Sequence, residues 1–134
     1  MLIQPYLMFD GNCGEAFQRY HELLGGDLQV QRFGDMPGPG GNPAEADLVL
    51  HARLQVGDAV LMASDAPADR REPRGSYSVS LTLDTQDEAR RVFDGLAEGG
   101  TIRMPLEPTF WSPLFGMVLD RFGTRWMVTV PDAA

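Results

Sequence analysis

Cysteine is almost missing from this chain of 134 residues, with Cys13 the single example. An internal disulfide is therefore excluded, as is any metal site built on several thiolates. Histidine is nearly as scarce: His21 and His51 are the only two, so an imidazole-based metal site would have to borrow carboxylates. Positive charge is short as well. Against 19 Asp and Glu stand 11 Lys and Arg, a formal net charge of -8, which repels phosphate backbones and argues against a nucleic-acid partner. No apolar run approaches the ~18 residues of a membrane helix, so no membrane partner is expected. Met1 to Asp10 has neither a basic region nor a small-residue cleavage site. No signal peptide is read there, and a cytoplasmic home is expected. What remains is a chain that is 43% apolar, enough for one core and too short for two ordinary domains.

The pattern within the chain repeats. Ile3, Pro5, Leu7 and Phe9 alternate with Leu2, Gln4, Tyr6 and Met8, as in a strand. After Asp10-Gly11, the run Asn12-Cys13-Gly14-Glu15 reads as a capping box with Asn at the cap. Ala16, Phe17, Tyr20, Leu23 and Leu24 share a helical face, which Gly25-Gly26 ends. The same grammar returns later. Tyr77, Val79, Leu81 and Leu83 alternate with Ser78, Ser80, Thr82 and Asp84. Thr85 and Glu88 form a second capping box, Ala89, Val92, Phe93, Leu96 and Ala97 a second stripe, and Gly99-Gly100 a second stop. Asn12 and Thr85, Glu15 and Glu88, Tyr20 and Phe93 are each 73 residues apart. Three extended stretches follow each helix: 28–33, 47–56 and 58–65, then 102–106, 114–120 and 124–130. Gly57 and Gly123 sit in the last hairpin of each half. The stretch from about 67 to 75 is rich in Pro and charge and reads as a linker, and 34–46 reads as a long mobile loop.

The spacing thus predicts an α+β protein of two tandem βαβββ modules, about 1–66 and 76–131, within one domain spanning 1–134. In this it resembles the vicinal-oxygen-chelate (glyoxalase/bleomycin resistance/dioxygenase) superfamily. The PhnB-like branch is the nearest in detail, on the strings Pro5-Tyr6 through Gly11-Asn12-Cys13, His51-Ala52, Met62 to Asp65, Glu107-Pro108-Thr109-Phe110-Trp111, and Phe115-Gly116 through Asp120-Arg121-Phe122-Gly123-Thr124-Arg125-Trp126-Met127. The resemblance implies a curved mixed-sheet cup that holds a ligand, and a homodimer. Branch members are often labelled methyltransferases. Neither strand-helix turn here has the glycine-rich pattern of a methyl-donor site, so methyl transfer is not expected.

Metal-using members of that superfamily hold a divalent ion with inward side chains from the first and last strand of each module. The repeat maps those places to Pro5, Ser78, Leu61 or Met62, and Met127. These cannot replace a His and Glu shell, so no metal and no cofactor are expected. The cup is instead expected to bind a small, partly apolar molecule through Ser78, Ser80, Met62, Phe110, Trp111, Phe115, Arg125 and Met127. Arg125 either meets an anionic ligand group or lies solvated at the rim. His51 either carries a proton or makes one structural hydrogen bond, and Glu107 is a base only if buried. Cys13, near a helix start, is either a reactive thiol or a small buried residue. Three readings stand side by side: a metal-free binder, a glyoxalase-like lyase, isomerase or dioxygenase with a non-standard site, and an interaction module whose cup is filled by Met62, Phe110, Trp111, Phe115 and Met127.

Overall fold

The computed structural model describes residues 1–35 and 43–132. Residues 36–42, the greater part of the expected long loop, lie outside them. The chain divides into two units, Met1–Pro73 and Arg74–Ala134. In the first, β1 (Tyr6–Phe9), α1 (Cys13–Leu24), β2 (Asp27–Arg32), β3 (Val49–Val56) and β4 (Ala59–Asp65) form a four-stranded sheet in the order β1-β4-β3-β2. In the second, β5 (Val79–Thr82), α2 (Gln86–Ala97), β6 (Thr101–Glu107), β7 (Phe115–Leu119) and β8 (Arg125–Thr129) form a sheet in the order β5-β8-β7-β6. Both sheets are mixed. β1 runs parallel to β4 and β5 to β8, while the remaining pairs are antiparallel. The helix supplies the crossover that lets the first strand of each unit lie beside its last. The tandem βαβββ fold is thus present.

Each helix covers one face of its own sheet. Ala16, Phe17, Tyr20 and Leu23 of α1 are buried with Leu7, Phe9, Ala52, Leu54 and Ala63. Phe17 meets both Phe9 and Tyr20 edge to face, at ring-centroid distances of 6.1 and 5.5 Å. In the second unit, Ala89, Val92, Phe93 and Leu96 are buried with Val118, Trp126 and Val128. Gly116 lies directly beneath this helix. A Cβ there would stand 2.9 Å from the Phe93 ring and 3.1 Å from the Leu106 backbone nitrogen. Gly116→Ala should therefore lose about 1–3 kcal/mol, read as a lower denaturation midpoint, because the backbone side of that contact cannot give way.

Three local expectations need correction. The first strand begins at Tyr6, not at Ile3. Pro5 has no N–H to give a ladder, although its carbonyl still accepts from Met62 N at 3.3 Å. Asn12 makes no side-chain cap. Its place is taken by Asp65, whose Oδ1 accepts from the backbone N–H groups of Gly11 (2.9 Å) and Cys13 (3.0 Å). Thr85, by contrast, caps α2 as its sequence predicts, accepting from Glu88 N at 3.1 Å. Finally, the repeat is not uniform. Strands and helices both keep the offset of 73, Tyr6 with Val79 and Cys13 with Gln86, but the opening strands are out of phase in burial: Leu7 and Phe9 are buried, while Ser80 and Thr82, 73 residues on, are exposed. Three residues join strand to helix in each unit, and in the first of these turns Gly11 adopts φ 106°.

Candidate functional site

The strand faces turned away from the helices carry the unusual side chains. In the second unit, pairing aligns Ser80 with Met127 and Met127 with Met117, and in the next row Thr82 with Thr129 and Thr129 with Phe115. Directly paired residues point to the same side of a sheet, so these side chains share one surface. Arg125 lies on that side too, paired with Leu119. It is half-buried, its guanidinium packed so near Gly75 that a Cβ there would stand 3.2 Å from Nη1. Among the described residues Arg125 has no hydrogen-bond or ion-pair partner. Arg74, the residue before Gly75, is already engaged, donating to the Phe122 carbonyl (2.8 Å) and to Thr124 Oγ1 (3.0 Å).

A tight turn forms a wall beside this face. Thr109 N donates to the Ser112 carbonyl at 2.9 Å, and Ser112 N to Thr109 Oγ1 at 3.0 Å. Ser112 Oγ in turn meets Thr129 Oγ1 at 2.7 Å, tying the turn to β8. Trp111 is thereby held against Phe115, ring centroids 5.5 Å apart, and Phe110 against Trp111 at 4.8 Å. Phe115 is 8% exposed, Trp111 51% and Phe110 97%. Phe115 is thus covered, Trp111 offers one flank, and Phe110 projects outward. Of the ten candidate residues, Ser78, Ser80, Phe110, Trp111, Phe115, Arg125 and Met127 fall on or beside this surface. Glu107, paired with Phe115, stands exposed at the end of β6, so the burial that would make it a base is absent.

Met62 and His51 belong to the first sheet. Met62, rather than Leu61, lies on the face away from α1, where it pairs with Tyr6 and Arg53; Leu61 is buried. His51 shares that face, with its Nδ1 3.1 Å from the Tyr6 hydroxyl. Sequence could not name this partner, because it depends on which way the opening strand faces. Arg53 Nη1 donates to Gln55 Oε1 at 2.8 Å, so this cation, unlike Arg125, already has a partner.

The places that hold a divalent ion in metal-using relatives can now be set out. By the alternation of β1, Pro5 lies on the side of Leu7 and Phe9, toward α1. Ser78 lies with Ser80 and Thr82, away from α2. At the shared offset of 73 the two therefore fall on opposite faces of their sheets. Tyr6 with Met62, and Ser80 with Met127, are the paired positions on the open faces. Within neither unit does the pair, a phenol with a thioether or a hydroxyl with a thioether, fit an ion that takes imidazole and carboxylate. Among the described residues no three His, Cys, Asp or Glu side chains come together as a metal site.

Comparison with known proteins agrees with this fold. The description Glyoxalase/Bleomycin resistance protein/Dioxygenase superfamily matches residues 2–128. The chain belongs to that superfamily. It is 34% identical to Protein YjdN of Escherichia coli K12, over 97% of this chain and 95% of that one. The crystal structure of protein PA1353 from Pseudomonas aeruginosa superimposes with a TM-score of 0.89 at 48% identity, covering 97% of each chain. A PhnB protein from Bacillus cereus, which carries the name of a 3-demethylubiquinone-9 3-methyltransferase, superimposes at 0.77 with 30% identity, over 98% of this chain and 100% of its own. The superfamily protein is thus of the PhnB-like kind.

Proposed function

We propose that this superfamily member is a cytoplasmic, homodimeric binder of a small, partly apolar metabolite with one anionic group. The observation that carries the reading is Arg125: a half-buried guanidinium with no hydrogen-bond or ion-pair partner among the described residues, on the same surface as Met127 and Phe115. Partial burial of an unpaired cation carries part of the desolvation cost, and an incoming carboxylate offsets it with charge-assisted hydrogen bonds. Met117, Met127 and the Trp111 flank would receive the apolar body, and Ser78 and Ser80 offer hydroxyls at the edge.

Methyl transfer is not supported. The α1 N-terminus, where a strand-helix turn would receive a nucleotide-like group, has its Gly11 and Cys13 N–H groups taken by Asp65. Exposed Leu2, Ile3, Tyr77 and Ile102 support self-association, and no described helix is long and apolar enough to cross a membrane. Thermal melting with 1-naphthoate as probe tests the reading. A ligand that binds only the folded chain raises the midpoint. The exposed Trp111 should be quenched in the same titration while buried Trp126 is not. An unmoved midpoint and unquenched fluorescence across millimolar naphthoate and other aromatic carboxylates would refute it.

A further inference from the structure

The small-molecule reading uses Met127 as apolar surface, but the register supplies more than one thioether. Met127 stands opposite Met117 across β8 and β7, and Met117 opposite Met104 across β7 and β6. Three methionines therefore lie side by side on three neighbouring strands, on the face away from α2. The last of them is there because of a β-bulge. Ile102 pairs with Val118, and an unbroken ladder would next set Arg103 against Met117. The register shifts by one, and Met104 takes that place. Bulges re-aim side chains, and this one exchanges a guanidinium for a sulfur.

We infer that Met104, Met117 and Met127 form a thioether site for a soft monovalent cation, copper(I) or silver(I). Directly opposed side chains on one sheet face have Cβ atoms about 4.5–5.5 Å apart, and three rotatable bonds let each thioether swing toward a common centre. Thioethers select copper(I) over the harder divalent ions. The fourth residue of the row, Ser80, is a hydroxyl, so the row contains no imidazole, carboxylate or thiolate to recruit zinc or manganese. Arg125, two residues from Met127 on β8, weighs against a higher ionic charge. The side chains are reachable, since Met104 is 40% exposed and Met117 and Met127 are half-buried. This site shares Met117 and Met127 with the surface proposed for the metabolite, but stands or falls by a different measurement.

The test is an anaerobic silver(I) titration of the full chain carrying 13C-methyl methionine. One equivalent should move the methyl signals of Met104, Met117 and Met127 and leave those of Met8 and Met62 in place, while zinc(II) and manganese(II) move none. Met117→Leu, nearly isosteric, should weaken silver binding at least about tenfold. Met104→Leu on the edge strand serves as a second variant should the first disturb β7. Cys13 is also a soft ligand, though buried, so the titration is repeated on Cys13→Ala, where binding should persist. The site is overturned if both Met→Leu variants bind as the parent does, if Cys13→Ala abolishes binding, or if zinc shifts the same three signals.

Discussion

Asp65→Ala should destabilise the protein by about 4 kcal/mol, more than any surface change, although the residue touches no part of the proposed site. Asp65 is 2% exposed and closes the end of β4. Its Oδ1 holds the N–H groups of Gly11 and Cys13, and its Oδ2 that of Val49 at 2.9 Å. One carboxylate thus joins the start of α1, the start of β3 and the end of β4. Alanine would orphan the buried Cys13 and Val49 donors and the part-buried Gly11 donor, at about 1–3 kcal/mol for each buried one. In a thermal melt this is a fall on the order of 12 °C. Asp65→Asn should fall between the parent and Asp65→Ala. Its single oxygen can serve Gly11 and Cys13, but its amide then faces the Val49 N–H, donor against donor. A loss below about 1 kcal/mol in Asp65→Ala would show that the three donors find other partners.

Arg125→Gln should weaken 1-naphthoate binding by about 10- to 100-fold, since a hydrogen-bonded charge pair is worth about 1.5–3 kcal/mol and each 1.4 kcal/mol is tenfold. The decisive control is neutral 1-naphthalenemethanol, which offers the same rings without the carboxylate. Its affinity should be nearly the same for parent and variant. Titration of both ligands against both proteins gives a double-mutant cycle whose coupling term isolates the guanidinium–carboxylate pair. Equal weakening of both ligands would mean that Arg125 contributes only its packing against Gly75. Stability should change little, because among the described residues no partner is orphaned when the guanidinium is removed.

Much of this was legible before any coordinates. Both helices announce themselves by a 3.6-residue stripe, and Gly25 closes α1 with a positive φ of 75°. Strand limits fall within about two residues for most elements, because alternation and turn glycines mark them from both sides. The candidate surface of the second unit was readable for a similar reason. Ser78, Ser80 and Thr82 lie opposite the apolar Val79, Leu81 and Leu83, and the half-buried state of those three agrees with helix packing. Tyr77, beyond the strand end, is 49% exposed and does not follow them.

What escaped the sequence is what depends on long-range placement. Asn12 looks like a cap, yet Asp65, far along the chain, reaches the same N–H groups. A local pattern cannot weigh a competitor from another strand. The opposite burial phase of β1 and β5 escapes a repeat read by spacing alone, because spacing does not say which side of a strand faces the helix. Pro5 and Ser78, matched by spacing, therefore lie on opposite faces, and Tyr6, which meets His51, was passed over. The methionine row was hidden by the bulge between Ile102 and Met104, since strict alternation puts Arg103 where Met104 stands.

The central claim is that the face of the second sheet bearing Met127 and Arg125 binds its ligand without a divalent ion. It is tested most directly by methionine-methyl NMR of EDTA-treated protein titrated with 1-naphthoate, then repeated with manganese, nickel or zinc added. The account predicts saturable shifts at Met117 and Met127 in the chelated protein, unchanged by any of the three ions. Shifts that appear only after a divalent ion is added, or that leave Met117 and Met127 unmoved, would contradict it.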